Sequence, residues 1–190
     1  TGPIVGTRSL QVVTTTTSTG YQNQTVPVPQ ARGVAALPAI GNVFSAHVTM
    51  QPGTTTTTGV SVLGFAAGAA NSGNGDFAEI QYRRQGATVS FRIGSSTGAA
   101  SATPTIGWSN WTTVTTATNY AIVLTYTQGA NGSLSATVNG TTITNNAAIN
   151  NANRNTSNYG VGTVRVGAIS SPGVVMTIKF DSFSSARAPF

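Results

Sequence analysis

The sequence predicts an all-β protein, an antiparallel sandwich of two sheets in one domain, and three observations carry that prediction. No segment repeats apolar residues at i, i+3, i+4 and i+7 over a helical length. Period-two alternation recurs from one end of the chain to the other, with Gly, Asn and Pro between the alternating runs. The stretch NYAIVLTYTQGANGSLSATVNGTTIT, residues 119–144, ends two of those runs at Asn139-Gly140, a strong local signal for a tight β-hairpin. A chain of 190 residues suffices for one sizeable core.

Taken in order, residues 1–42 are proline-rich and alternate only over Leu10 to Thr17, so they are expected to form an N-terminal arm or edge strand wrapping the sandwich formed by residues 43–190. The arm is β-rich and nearly uncharged, and its backbone needs a partner strand. The run VVMTIKF of the same chain is the natural partner; the matching strand of a second copy would instead build a filament. Strands are expected next at FSAHVTM, VSVLGFAA, FAEIQYRR, ATVSFRIG, YAIVLTYT, SLSATVN, TTIT, GTVRVGAI and VVMTIKF. The Thr tracts at 14–17 and 54–58 recur at no fixed period, which argues against a stacked solenoid.

The hairpins assign faces. A turn at Gln85-Gly86 pairs Tyr82 with Val89, Ile80 with Phe91 and Ala78 with Ile93 on the core side. The same register sets Glu79 opposite Arg92, Gln81 opposite Ser90 and Arg83 opposite Thr88 on the other face, which gives Glu79 an ion partner. The Asn-Gly turn pairs Val138 with Thr141 and Ala136 with Ile143, so Leu134, Ala136 and Val138 face inward beside Ile122, Leu124 and Tyr126. In the last strand Val174, Met176, Ile178 and Phe180 alternate inward, and Phe183 breaks the parity, which predicts a bulge near Asp181.

Charge narrows function. Only 6% of residues are charged, against about a quarter in an average domain. The net charge of +6 invites a nucleic-acid reading. The Arg residues are scattered from Arg8 to Arg187, however, with only Arg83 and Arg84 adjacent, and a nucleic-acid footprint needs a clustered face. Without Cys there is neither a disulfide nor a thiolate metal site. No apolar run is long enough to span a membrane and no charged-then-apolar signal opens the chain; the missing initiator Met together with the polar, uncharged surface leads to the expectation of a processed, secreted or cell-surface product. The five Asn-x-Ser/Thr triplets follow from a composition rich in those residues.

The segments GDFAEIQYRRQGATVSFRI, WTTV, NYAIVLTYTQGANGSLSATVNGTTI, VRVGAI and VVMTIKFDSF, taken together, resemble the laminin G-like and concanavalin A-like lectin/glucanase jelly rolls over roughly residues 42–185. The resemblance implies a jelly-roll sandwich and a glycan as ligand. Glucanases of that fold use acidic residues on one strand face, whereas Asp76 and Glu79 fall on opposite faces if both lie in the strand. Lectins and laminin G domains of this kind bind calcium, and Asp76 with Asn74 or Asn71 supplies oxygen donors for a weak site, unless Asp76 merely caps a turn. No other cofactor is implied.

His47, the one histidine, has no nucleophile and carboxylate in view, so it reads as a polar-face residue rather than a base. Trp108 and Trp111 lie in IGWSNWTTV; Trp111 is expected in the core, and Trp108 to stack on sugar, with Asn110, Arg83, Gln81 and Arg92 supplying polar contacts. The resulting expectation is a non-catalytic adhesion module that binds glycan or a cell-surface polymer. The alternative is a structural subunit forming a homo-oligomer or filament, with a polysaccharide-active enzyme third. Neither nucleic acid nor membrane insertion is expected, and hydrolase or lyase activity is not expected from a chain with three acids.

Overall fold

The computed structural model describes residues 10–14, 20–25, 43–53, 58–67, 76–96, 106–127, 133–144, 161–170, 173 and 175–186. Its strands are β1 (Leu10–Thr14), β2 (Gly20–Thr25), β3 (Val43–Gln51), β4 (Val60–Ala67), β5 (Asp76–Gln85), β6 (Thr88–Ser96), β7 (Ile106–Trp108), β8 (Thr112–Val114), β9 (Tyr120–Thr127), β10 (Ser133–Val138), β11 (Thr141–Thr142), β12 (Val161–Ala168) and β13 (Met176–Ala186). They build two antiparallel sheets: a six-stranded one in the order β1-β13-β3-β9-β10-β11, and a seven-stranded one in the order β2-β12-β4-β5-β6-β7, with β8 also on β6. This is the all-β two-sheet sandwich that the alternation predicts, and the jelly roll that the resemblance implies. No helix among the described residues is long and apolar enough to cross a membrane.

Alternation sorts the side chains. From the six-stranded sheet, Phe44, Ala46, Val48, Met50, Ile122, Leu124, Tyr126, Leu134, Ala136, Val138, Met176, Ile178 and Phe180 are buried in the interior. The seven-stranded sheet answers with Leu63, Phe65, Ala78, Ile80, Tyr82, Val89, Phe91, Ile93, Val164 and Val166. Rings join the layers: Phe65 lies 6.5 Å from Phe44 and 6.3 Å from Tyr126, and Phe91 lies 5.5 Å from Tyr120. Each of the Val, Leu, Ile, Met and Phe side chains contributes about 1.5–3 kcal/mol through removal from water.

The N-terminal segment places one strand at an edge of each sheet. β1 pairs with β13 of the same chain, Leu10 opposite Phe180 and Val12 opposite Ile178, and Val12 is buried while Val13 is 61% exposed. β2, GYQNQT, pairs with β12; it lacks apolar alternation, so only its partner reveals it as a strand. Much of both Thr tracts, as well as Val174, lies outside the described residues.

Two turns show what sets register. At Asn139-Gly140 both residues have positive φ, 49° and 79°, as a type I′ turn requires, and Val138 meets Thr141 as predicted. The β5–β6 turn differs from expectation. Its central residues are Gly86 and Ala87, with Gln85 opposite Thr88, because Gly86 at φ 61° occupies the first central position, where a type II′ turn demands glycine. Every cross-strand partner therefore moves by two residues: Tyr82 meets Phe91, Ile80 meets Ile93, Gln81 meets Arg92 and Arg83 meets Ser90. A shift of two preserves the faces. It removes the expected Glu79–Arg92 pairing, since Glu79 now stands opposite Gly94. In β13 the predicted bulge occurs between Asp181 and Ser184, with Ser182 at φ 52°.

Candidate functional site

The outer face of the seven-stranded sheet collects the polar side chains that alternation turns away from the core. One row crosses five strands: Arg165 on β12, Gly64 on β4, Glu79 on β5, Gly94 on β6 and Trp108 on β7 are successive register partners. β2 extends it, pairing Asn23 with Arg165 and Tyr21 with Gly167. The adjacent row holds Ser61, Gln81 and Arg92, and the next Arg83, Ser90 and Thr113. Although this is not the core face, Ser61, Glu79, Gln81, Ser90 and Arg165 are all buried.

Glycines make room for that crowding. A Cβ on Gly64 would lie 3.3 Å from Glu79 Cγ, so the Glu79 side chain leans over β4 toward the strand carrying Arg165. A Cβ on Gly94 would fall 2.6 Å from Ile106 Cγ2 and against the six-membered ring of Trp108. The Trp108 ring therefore occupies the space that a side chain at 94 would fill.

A hydrogen-bonded chain crosses the centre. Gln81 Nε2 donates to Ser61 Oγ at 3.1 Å, and Arg92 Nε donates to Gln81 Oε1 at 2.9 Å. The Arg92 guanidinium lies over both indoles, 4.6 Å from the Trp108 ring centre and 4.4 Å from that of Trp111, and Arg83 lies 4.2 Å over Trp111. Such contacts contribute about 0.5–2 kcal/mol each, more where water is excluded. Burial, and then the charge of Arg83, lowers the Arg92 pKa from its ordinary value.

Trp111 is thus not in the core as expected. Ser109 interrupts the edge: its N–H donates to Ile93 O at 2.8 Å while its Oγ accepts from the Ile93 N–H at 3.1 Å. Between Trp108, opposite Gly94, and Thr113, opposite Ser90, the alternation resets, which brings Trp108 and Trp111 to the same face. Trp111 reaches across to the start of β4, where a Cβ on Gly59, the residue before the strand, would lie 2.8 Å from its Cη2. Gly59 has φ 91°, a conformation side chains disfavour, so the close approach and the backbone both call for glycine there.

Of the residues singled out from sequence, Trp108, Arg83, Gln81 and Arg92 come together here, and Asn110 is exposed at the break between the two short strands. Asn74 lies outside the described residues, and Asp76 is described only by its backbone at the start of β5. Among the described residues no group of three or more His, Cys, Asp or Glu gathers as a metal site would require. His47 belongs to the other sheet, its Nδ1 3.1 Å from Ser182 O. Sequence patterning does not single out Arg165, Ser61 or Tyr21. Alternation in VRVGAI marks Arg165 as outward-facing; the strand order that sets it in one row with Glu79 has no local signal.

No family model and no curated protein sequence matches this chain. Solved structures do. An alginate lyase, Aly36B, described in complex with alginate trisaccharide, is 15% identical with a TM-score of 0.59, covering 96% of this chain and 82% of its own. An endo-β-1,4-glucuronan lyase from the fungus Trichoderma reesei is 13% identical with a TM-score of 0.61 over the same shares. The cellulose-induced protein Cip1 is 14% identical with a TM-score of 0.53, covering 98% and 84%. At these identities the likeness is one of fold. It corrects the expectation of a non-catalytic adhesion module or filament subunit, and with it the exclusion of enzyme activity, because polysaccharide lyases share this architecture. The exclusion rests on absent paired carboxylates, which glycoside hydrolysis uses and elimination does not require.

Proposed function

We propose that the protein is a polysaccharide lyase that cleaves an acidic, uronate-containing polysaccharide laid across the outer face of the seven-stranded sheet. The observation that carries this reading is the gathering of Arg83, Arg92 and Arg165 with Gln81 on one face of a chain of net charge +6. Lyase chemistry removes the proton beside a uronate carboxylate and then breaks the C4–O bond. The first step builds negative charge on the carboxylate, and preorganised cations and amides lower its barrier. In this reading that carboxylate is received at Arg165, whose row continues across Gly64 to Glu79. The backbone register of β2 sets Tyr21 opposite Gly167, two residues from the partner of Arg165, which makes Tyr21 the residue to test as proton acceptor and donor. The known neighbours named as alginate and glucuronan lyases support the substrate class. A polymer too large to enter a cell fits a secreted or cell-surface location.

The test is incubation with polyglucuronate, alginate and pectate, following the ultraviolet absorbance of the new C4–C5 double bond. Turnover of at least one is expected, with Tyr21→Phe losing about 10²-fold or more in kcat. No unsaturated product from any of the three overturns the reading.

A further inference from the structure

We infer that Arg83 and Arg92, mounted on Trp111, form a second anion-binding site that holds a carboxylate or sulfate group of a polysaccharide away from Arg165. The inference deepens the lyase reading by giving its groove a further charge-reading subsite, and its test separates the two. Both guanidinium groups lie over the same indole, at 4.2 and 4.4 Å, and Arg92 also over Trp108. Neither has a carboxylate as its register partner: Arg83 faces Ser90, Arg92 faces Gln81, and Glu79 stands opposite Gly94. Asp181 is on the other sheet, and Asp76 is at the far end of β5. Two like charges therefore share one partly buried ring, and the shift in Arg92 reflects burial and then Arg83.

The donors are arranged for a ligand. Among the described residues, Arg83 Nε is buried with no hydrogen-bond partner. Among the described residues Arg92 commits only its Nε, to Gln81, and its terminal nitrogens suit a planar carboxylate or a sulfate ester by paired N–H bonds. The indoles and Gln81 hold the guanidinium rigid, so little ordering entropy remains to be lost on binding. Arg165 and Arg92 are three strand intervals apart, β12 to β4 to β5 to β6, or roughly 14 Å. A pyranose unit is about one strand interval long, so the two sites read charges about three sugars apart along one polymer.

The chain has only two tryptophans, and both belong to this site. Intrinsic fluorescence therefore reports occupancy without any substitution. Titrating the full chain with polyglucuronate, dextran sulfate and neutral dextran is expected to change emission with at least one anionic polymer and not with the neutral one. Arg92→Gln, checked for a native circular dichroism spectrum, is expected to bind the responding polymer about tenfold more weakly. A response to polyglucuronate alone assigns carboxylate, and one to dextran sulfate alone assigns sulfate. Unchanged emission with both polyanions, or an equal response to neutral dextran, overturns the site, as does a folded Arg92→Gln with wild-type affinity. Binding without turnover removes the lyase reading and leaves the anion site; turnover with unchanged emission does the reverse.

Discussion

Replacing Tyr82 by Phe isolates one hydroxyl at the centre of the sandwich. Tyr82 is fully buried, its ring centre 5.5 Å from that of Phe91, and its OH has no hydrogen-bond partner among the described residues. Burial pushes its pKa from 10.0 up to about 12; Tyr120 adds to the rise and Arg84 opposes it. The fold thus favours the neutral phenol. The stability this contributes is fully present below pH 10, where folded and unfolded chains both keep the proton, and is lost as pH rises from about 10 to about 12, where only the folded chain keeps it. At 1.36 kcal/mol per pKa unit the loss is at most roughly 3 kcal/mol. At neutral pH, Tyr82→Phe removes a buried unsatisfied hydroxyl and is expected to be as stable as the parent or about 1 kcal/mol more so. Through the alkaline window the advantage should widen by up to the full linkage term. Urea denaturation of both proteins, stepped from neutral pH through that window, measures the difference and cancels the titration of every other group. A variant more than about 1 kcal/mol less stable at neutral pH, or two curves that run parallel through the window, would refute the reasoning.

Gly94→Ala drives a methyl into Ile106 and the Trp108 ring; it should cost about 1–3 kcal/mol in thermal or urea unfolding and alter tryptophan emission as Arg92 loses its stacking partner. Asn139→Ala removes the Oδ1 acceptor of the Ala121 N–H, at 2.7 Å, and the Nδ2 bond to Asn119 O, at 3.3 Å, while forcing alanine to φ 49°. A loss of roughly 2 kcal/mol is expected, and Asn139→Gly should recover about half by relieving the backbone strain alone; equal stability of the two variants would show that the hydrogen bonds carry the whole effect.

Alternation alone makes the face of most strands legible. It assigns Ile80, Tyr82, Val89, Phe91, Leu124, Ala136, Val138, Met176 and Ile178 to the interior, and all are buried there, because a strand's two-residue period is a property of its own backbone. The Asn139-Gly140 hairpin and the bulge after Asp181 are legible for the same reason, each being written in a few contiguous residues. What tertiary structure decided is everything that depends on a partner distant in sequence. GYQNQT is a strand because β12 supplies its hydrogen bonds. Glu79 stands opposite Gly94 rather than Arg92 because a type II′ turn takes Gly86 at its first central position. Trp111 leaves the core because Ser109 breaks the edge of β6, and Gly59, Gly64 and Gly94 acquire meaning only from the side chains that lie over them. The candidate site is assembled from such long-range pairings, so the sequence determined the residue types and faces available to it, and the closing of the two sheets determined which of them meet.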